Sequence, residues 1–543
     1  MAGDDLRGLI QYHARRPAPR PGGIRRRRAS LRKGRGGRGP RAPRKAAPAS
    51  AESPVPPASQ TPGHVAQEDA EADVYLPHRW GLTPPLSREL PARLYRFWES
   101  YYDCFRTTTH NTGIYAYHYL SALLRLDTNR NYTRIGEVTG QASEHIHHFM
   151  SNSPWGARRV WEQVQAELQT TPGLERGGVL ILDESADEKA GPESAGAGRQ
   201  YNGRLGKVDL SIVGVFLAYA NLTRQACPIW TWVSGELFLP KAWFTPELAE
   251  RRQKVGVPEE RKFATKVELG WQMIQRAQAA GLPFEALLCD DLYGRSHWFR
   301  DALAEAQIIY MADVPHTTRV YLKKPELGVP ERQGQRGRHP TRLRVLNGVK
   351  ASPVHAVARR ADTSWQRVQI RAIERGKLND PFAAQRVWTL REDQAEPVEE
   401  WLVIRQEANH RYNYSLSNAP ADTPLADLAW LKCQRYFVER ANQDAKSEAG
   451  WDELQARKYR GREHHLALVI LATWFVACVK WDWSHAYPRD AALAAQFEVE
   501  VLPALSMANI RLLLRAAMPL PQPSPEETVA HVVKILVNRT RSR

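Results

Sequence analysis

Val179-Leu180-Ile181-Leu182-Asp183-Glu184-Ser185 and, 107 positions later, Leu287-Leu288-Cys289-Asp290-Asp291-Leu292-Tyr293-Gly294 share one pattern: an apolar run without alternation that stops on an aspartate. Continuous apolar runs of this length suit strands buried on both faces. Carboxylates at the ends of such strands are held rigidly, and those converging on one point repel unless divalent cations sit between them. Two cations about 3.5–4 Å apart activate an attacking oxygen and stabilise a leaving one in phosphodiester chemistry. A third acid from a helix would complete the set, and Glu439 lies in Arg435-Tyr436-Phe437-Val438-Glu439-Arg440-Ala441-Asn442-Gln443-Asp444-Ala445-Lys446. Arg435 stands four residues before it and Lys446 seven after it, so all three share one side of a helix. Taken singly, each acid also fits a strand-end cap or a surface ion pair. Together, Asp183, Asp290 and Glu439 are candidate metal ligands and catalytic residues.

The surrounding pattern alternates strands and helices. Apolar runs at 178–182, 211–219, 230–239, 286–289 and 308–312 read as strands, with a helix at about 258–279 between the third and fourth. Three strands, a helix, a strand, a helix and a strand is the order expected of an α/β, RNase H-like sheet. Residues 75–172 read as a helical N-terminal domain, 173–317 as the first part of the core and 318–424 as a β-rich insertion carrying Trp365, Trp388 and Trp401. Residues 425–485 supply the acidic helix and a following helix, and 486–543 form a C-terminal segment. Within the helical domain, Arg134 to Gly140 and Glu144 to Ser151 have helix-turn-helix spacing and make that domain a candidate DNA binder. Short helix pairs are common for other reasons. His145, His147 and His148 lack a cysteine or carboxylate at ligand spacing and read as solvent-facing.

A chain of 543 residues suits three or four structural units. Its net charge of +17 favours polyanionic partners. Fifteen Lys and Arg against Asp4 and Asp5 put +13 in the first fifty residues; five acids and no base follow before Tyr75, leaving +9 for the body. Residues 1–74 are rich in Arg, Pro, Gly and Ala, cannot bury enough apolar surface to order themselves, and are expected to form a disordered basic tail. The five cysteines never form a Cys-x-x-Cys pair, which argues against a disulfide framework or a zinc ribbon and for a cytoplasmic setting. No apolar stretch follows the N-terminal arginines, so no secretory signal is expected. The run Leu466 to Val479 is too short to span a bilayer and reads as a core helix, with no membrane partner expected.

The acidic blocks resemble those of insertion-sequence transposases of the DDE superfamily, in the IS-four and IS-seven-zero-one type groups. Asp183-Glu184-Ser185, with Lys189-Ala190-Gly191 and the stretch Gly198 to Asp209 that holds Arg199 and Lys207, is similar to the first-aspartate motif. Asp290 to Gly294, as Asp-x-x-Tyr-Gly, resembles the second, with Lys266 in the helix before it. Arg435, Glu439 and Lys446 match the Tyr-Arg-Glu-Lys signature, continued through Glu448, Gly450-Trp451-Asp452, Gly461 and His464-His465; the tyrosine position is Lys432. The resemblance implies metal-dependent DNA cleavage and strand transfer at insertion-sequence ends, with Mg2+ or Mn2+, two ions per site. Implied partners are transposon ends and target DNA, bound by a homodimer on paired ends and nucleoid-associated. Arg435, Lys446, Lys432, Arg199 and Lys207 are the implied DNA-binding residues.

The run Tyr201 to Val208 fails as a P-loop, because Tyr201 replaces the first glycine and Val208 the magnesium-binding Ser or Thr. Two rival readings are an inactive transposase-derived DNA-binding protein and an RNase H-like nuclease that cuts without joining. The charge split itself is testable. Deleting residues 1–74 is expected to weaken general DNA affinity and flatten its salt dependence while sparing cleavage of prebound ends, as a filter-binding salt titration would register.

Overall fold

The apolar run before Asp183 lies in the middle of a ten-stranded mixed sheet. Its strands are β1 (Gly178–Glu188), β2 (Gly198–Asn202), β3 (Lys207–Asn221), β4 (Ile229–Phe238), β5 (Ala286–Cys289), β6 (Ile309–Val314), β7 (Gln366–Ile373), β8 (Gly376–Thr389), β9 (Val398–Gln406) and β10 (Tyr412–Ser417). Their order is β7-β8-β9-β10-β6-β5-β1-β3, and both β2 and β4 pair with β3. Only β1, β5 and β6 run parallel to one another; every other pairing is antiparallel. The computed structural model describes residues 73–541 apart from 109, 204, 222–226, 332–338, 374–375, 392–393, 395, 499–501, 503–504 and 523. The expected basic tail lies outside the described residues except for Asp73 and Val74. The sheet and the helices around it belong to one compact unit, Pro77–Arg543.

The strands expected as an inserted β-rich unit continue this same sheet. β10 pairs antiparallel with β6, from Tyr414 opposite Val314 to Ser417 opposite Met311. An edge strand exposes unpaired backbone groups, and β6 satisfies its outer edge through β10.

Helices cover the sheet. The N-terminal helices are α1 (Pro84–Ser100), α2 (Gly113–Arg125), α3 (Tyr132–Thr139), α4 (Ser143–Ser151) and α5 (Ala157–Thr170). They are followed by α6 (Lys266–Ala279), α7 (His297–Glu305), α8 (Leu425–Cys433), α9 (Tyr436–Gln443) and α10 (Tyr459–Ala486). α10 packs against β4 and against α2, α4 and α5. It is long and apolar enough to cross a bilayer, yet its apolar window is 83% buried inside the protein, as expected of a core helix. The helix expected from residue 258 starts only at Lys266, where Thr265 and Glu268 form a reciprocal capping box. α6 packs on β3 and β4 and touches β1 at Leu182: a Cβ at Gly270 would stand 2.4 Å from Leu182 Cδ2, so a larger residue would displace that side chain.

A buried ion cluster ties the far half of the sheet to the segment after β5. Glu400 of β9 faces Arg300 of α7 at 3.1 Å and Arg391 at 3.4 Å, and accepts from the hydroxyls of Tyr310 (2.6 Å) and Thr389. Burial alone would raise the Glu400 pKa, but Arg300 and Arg391 outweigh it and hold the carboxyl at about 2. Arg300 also donates to the carbonyl of Gly294, at the end of the second acidic block. Replacing Glu400 by Ala would leave two guanidiniums, 2% and 1% exposed, without this counter-charge. A loss of about 3–5 kcal/mol in urea unfolding is expected; a loss below about 1 kcal/mol would contradict this account.

Candidate active site

The carboxylates meet because of strand register. Leu182 of β1 pairs with Cys289 of β5, and Cys289 with Ala312 of β6, so the next residues, Asp183, Asp290 and Asp313, stand side by side at one level of three parallel neighbours. Beyond Leu182, β1 continues to Glu188 with β3 on one side only, whereas β5 stops and turns. Asp290 caps that turn, accepting from the Leu292 N–H at 3.0 Å. Gly294 closes it against β6: a Cβ there would lie 2.0 Å from the Asp313 carbonyl oxygen, which explains the glycine in Asp-x-x-Tyr-Gly.

One carboxylate oxygen each from Asp183, Glu184 and Asp290 lie within 4.8 Å of one another, the one group of potential metal ligands found among the described residues. Opposed ligands of an octahedral Mg2+ stand about 4 Å apart, so a modest closure of this cluster would hold a divalent ion. Burial raises the Asp183 pKa to about 7, with Glu184 and Glu439 adding to the rise and Arg435 opposing it. Asp290 is also raised, by burial first and then by Glu184 and Asp183. Such mutual repulsion is what a cation would relieve.

Glu439 sits on α9 outside that tight cluster. Its side chain is 59% exposed and accepts from Arg435 at 3.4 Å. Its charge nonetheless reaches Asp183. Arg435 is the cationic hub of the site: it pairs with Asp313 at 3.0 Å and with Glu439, and its charge acts on Asp183 and Asp290. Lys432, the departure from the signature, points inward. It is 6% exposed and joins Asp313 at 3.0 Å and the Ser415 hydroxyl. Burial would raise the Asp313 pKa, but Lys432 and Arg435 hold it below the usual carboxylate value. Lys446 donates to the Ala186 carbonyl at 3.1 Å and so braces the extension of β1 beyond Asp183.

Arg199 and Lys207 flank the β2–β3 hairpin, outside the acidic cluster. Lys207 is exposed and ion-paired with Asp209 at 2.8 Å. The helix-turn-helix candidate forms as α3 and α4, joined through Gly140 at φ +68°, and His145, His147 and His148 are exposed. Trp365, Trp388 and Trp401 are half-buried; Trp401 lies under the Arg386 guanidinium and donates to the Pro420 carbonyl at 2.9 Å. Sequence reasoning missed Glu184 as a member of the cluster, Asp313, and Asn442. Asn442 accepts from the Trp232 indole at 3.0 Å and turns its amide toward Asp183 at 3.5 Å. An aspartate after the apolar run Ile309 to Ala312 was the available signal for Asp313; none pointed to Asn442.

A family model of DDE superfamily endonucleases matches residues 100–377, a range that contains Asp183 and Asp290 and ends before Glu439. A probable transposase for insertion sequence element IS701 from Microchaete diplosiphon is 30% identical over 164 residues, which are 30% of this chain. The matched stretch spans only 38% of that relative's length.

The raised Asp183 pKa carries a stability consequence for the metal-free protein. With an unfolded value of about 3.9, its contribution is complete below that pH and is lost as pH rises through about 7. Asp183→Asn is therefore expected to be more stable than wild type at pH 8, by on the order of 1 kcal/mol or more, and indistinguishable from it near pH 4. Thermal unfolding of both proteins in chelator across that range measures the difference.

Proposed function

The chain belongs to the DDE superfamily endonuclease family, and from that premise we propose that it is a transposase, cleaving and joining DNA at insertion-sequence ends. The observation that carries the reading is the convergence of Asp183 and Asp290, each one residue past the register pair Leu182–Cys289 of two parallel strands. The strand order from β4 through β3, β1 and β5 to β6, antiparallel and then parallel, supports an RNase H-like core. Asp183 and Asp290 would hold Mg2+ or Mn2+, two ions per site, with Glu439 as the third acid of the signature, swinging in from α9. Bound cations would lower the barrier by activating the attacking oxygen and stabilising the leaving one.

The chain's own residues do the positioning. Asn442, oriented by Trp232, keeps Asp183 aimed into the site. Arg435, anchored on Asp313, stands beside the acids with a quarter of its side chain exposed, where it can orient a scissile phosphate. Lys432 and Lys446 support this arrangement from within, and Arg199 and Lys207 on the hairpin, with the α3–α4 pair, are proposed contacts to double-stranded DNA. A homodimer on paired ends follows from the family likeness. The IS701 relative carries the transposase assignment only in its printed name.

Asp183→Asn, Asp290→Asn or Glu439→Gln is expected to abolish Mg2+- or Mn2+-dependent cleavage of end-containing DNA while band-shift binding of the ends persists; normal cutting by any variant would remove that residue from the set. Joining of a pre-cut end distinguishes a transposase from a nuclease that only cuts. Arg435→Ala is expected to slow single-turnover joining by about 100-fold at saturating metal, without rescue by further Mn2+; full rescue would make Arg435 a metal-site residue rather than a phosphate-positioning one.

A further inference from the structure

Glu184 is not one of the three acids of the signature, yet it stands in the carboxylate cluster. We propose that Glu184 is itself a ligand of a divalent cation held with Asp183 and Asp290, and that Lys266 serves as its counter-ion until the cation binds. This rests on the metal-dependent reading above.

Neighbouring residues on a strand point to opposite faces, but β5 ends at Cys289 while β1 runs on to Glu188, so the edge of β1 is open past Leu182. The longer glutamate reaches round it, and one of its oxygens comes within 4.8 Å of those of Asp183 and Asp290. Its two oxygens differ. Oε1 accepts from the Lys266 ammonium at 3.0 Å. Oε2 is buried and has no hydrogen-bond partner. The Tyr293 hydroxyl lies beside it: Tyr293 is 0% exposed, and its hydroxyl faces the Glu184 carboxylate with the Asp290 and Asp183 charges next. Oε2 thus has a neutral hydroxyl beside it and no counter-charge, while Oε1 carries the Lys266 ammonium; a cation shared with Asp183 and Asp290, whose oxygens stand within 4.8 Å, would supply that charge.

Lys266 fits the role of a temporary occupant. It is the first residue of α6, where the helix dipole disfavours a cation. The close packing of Gly270 on Leu182 fixes it over Glu184 all the same. A lysine in that position neutralises one oxygen and leaves the other available.

The test is a Mn2+ titration of the full-length protein without DNA, free Mn2+ being read by electron paramagnetic resonance and folding by circular dichroism. Glu184→Gln is expected to weaken Mn2+ binding at least about tenfold. Lys266→Met should tighten it in the wild-type background and have no effect alongside Glu184→Gln, because the lysine competes only through Glu184. Equal tightening in both backgrounds would reduce Lys266 to a through-space charge and overturn the competition. Asp183→Asn serves as the reference. If it loses Mn2+ while Glu184→Gln binds like wild type, Glu184 is not a ligand and the metal centre stands without it. If Asp183→Asn also binds like wild type, the metal-dependent reading itself fails. Should Glu184→Gln not fold, Glu184→Asp takes its place: weaker Mn2+ binding with unchanged circular dichroism supports the proposal, and wild-type binding overturns it.

Discussion

Three aspartates stand side by side on three adjacent parallel strands, one residue past a shared register row, and keeping like charges together there is the constraint around which the surrounding structure is arranged. The row is resolved unequally. Asp313 receives two cations, Lys432 and Arg435, and its carboxyl is held below the ordinary range. Asp183 and Asp290 have only a share of Arg435 and are pushed upward by burial and by each other. The fold thus gives one carboxylate two cations of its own and leaves its neighbours a share of one.

This division accounts for the departure at the tyrosine position of the signature. Lys432 is engaged inside the protein, where removing it would leave Asp313 dependent on Arg435 alone. A buried carboxylate short of a counter-charge is costly, and Arg435 would be drawn further onto Asp313 and away from Glu439. Lys432 is thereby engaged with Asp313 and Ser415, beside Arg435.

The scaffold makes unusually close approaches at two glycines, to a side chain at Gly270 and to backbone at Gly294. Gly270 lets α6 press on Leu182 just before Asp183, and Gly294 lets the turn after Asp290 sit on the Asp313 carbonyl. Behind that turn, Arg300 joins Gly294 to the buried Glu400, so strands more than a hundred residues later in the chain steady the second aspartate. The long helix α10 packs on β4 and on the N-terminal helices, which share one hydrophobic core with the central strands.

Much of this was legible in the sequence. Apolar runs ending on Asp183 and Asp290 announced buried strands, because strands covered on both faces tolerate no alternation. The apolar run of α10 marked a core helix, and the spacing from Arg435 to Glu439 placed both on one helix side, where they do pair. Tertiary structure alone decided the remainder. Strand register, which no local pattern encodes, set Asp313 beside the other two and drew Lys432 and Arg435 to it. The pairing of β10 with β6 joined a segment that reads as a separate unit to the central sheet, since an open edge can be satisfied by any strand that reaches it. Glu184 joined the cluster for a similar reason: alternation assigns it to the opposite face from Asp183, and only the early end of β5 opens the edge around which its longer side chain reaches.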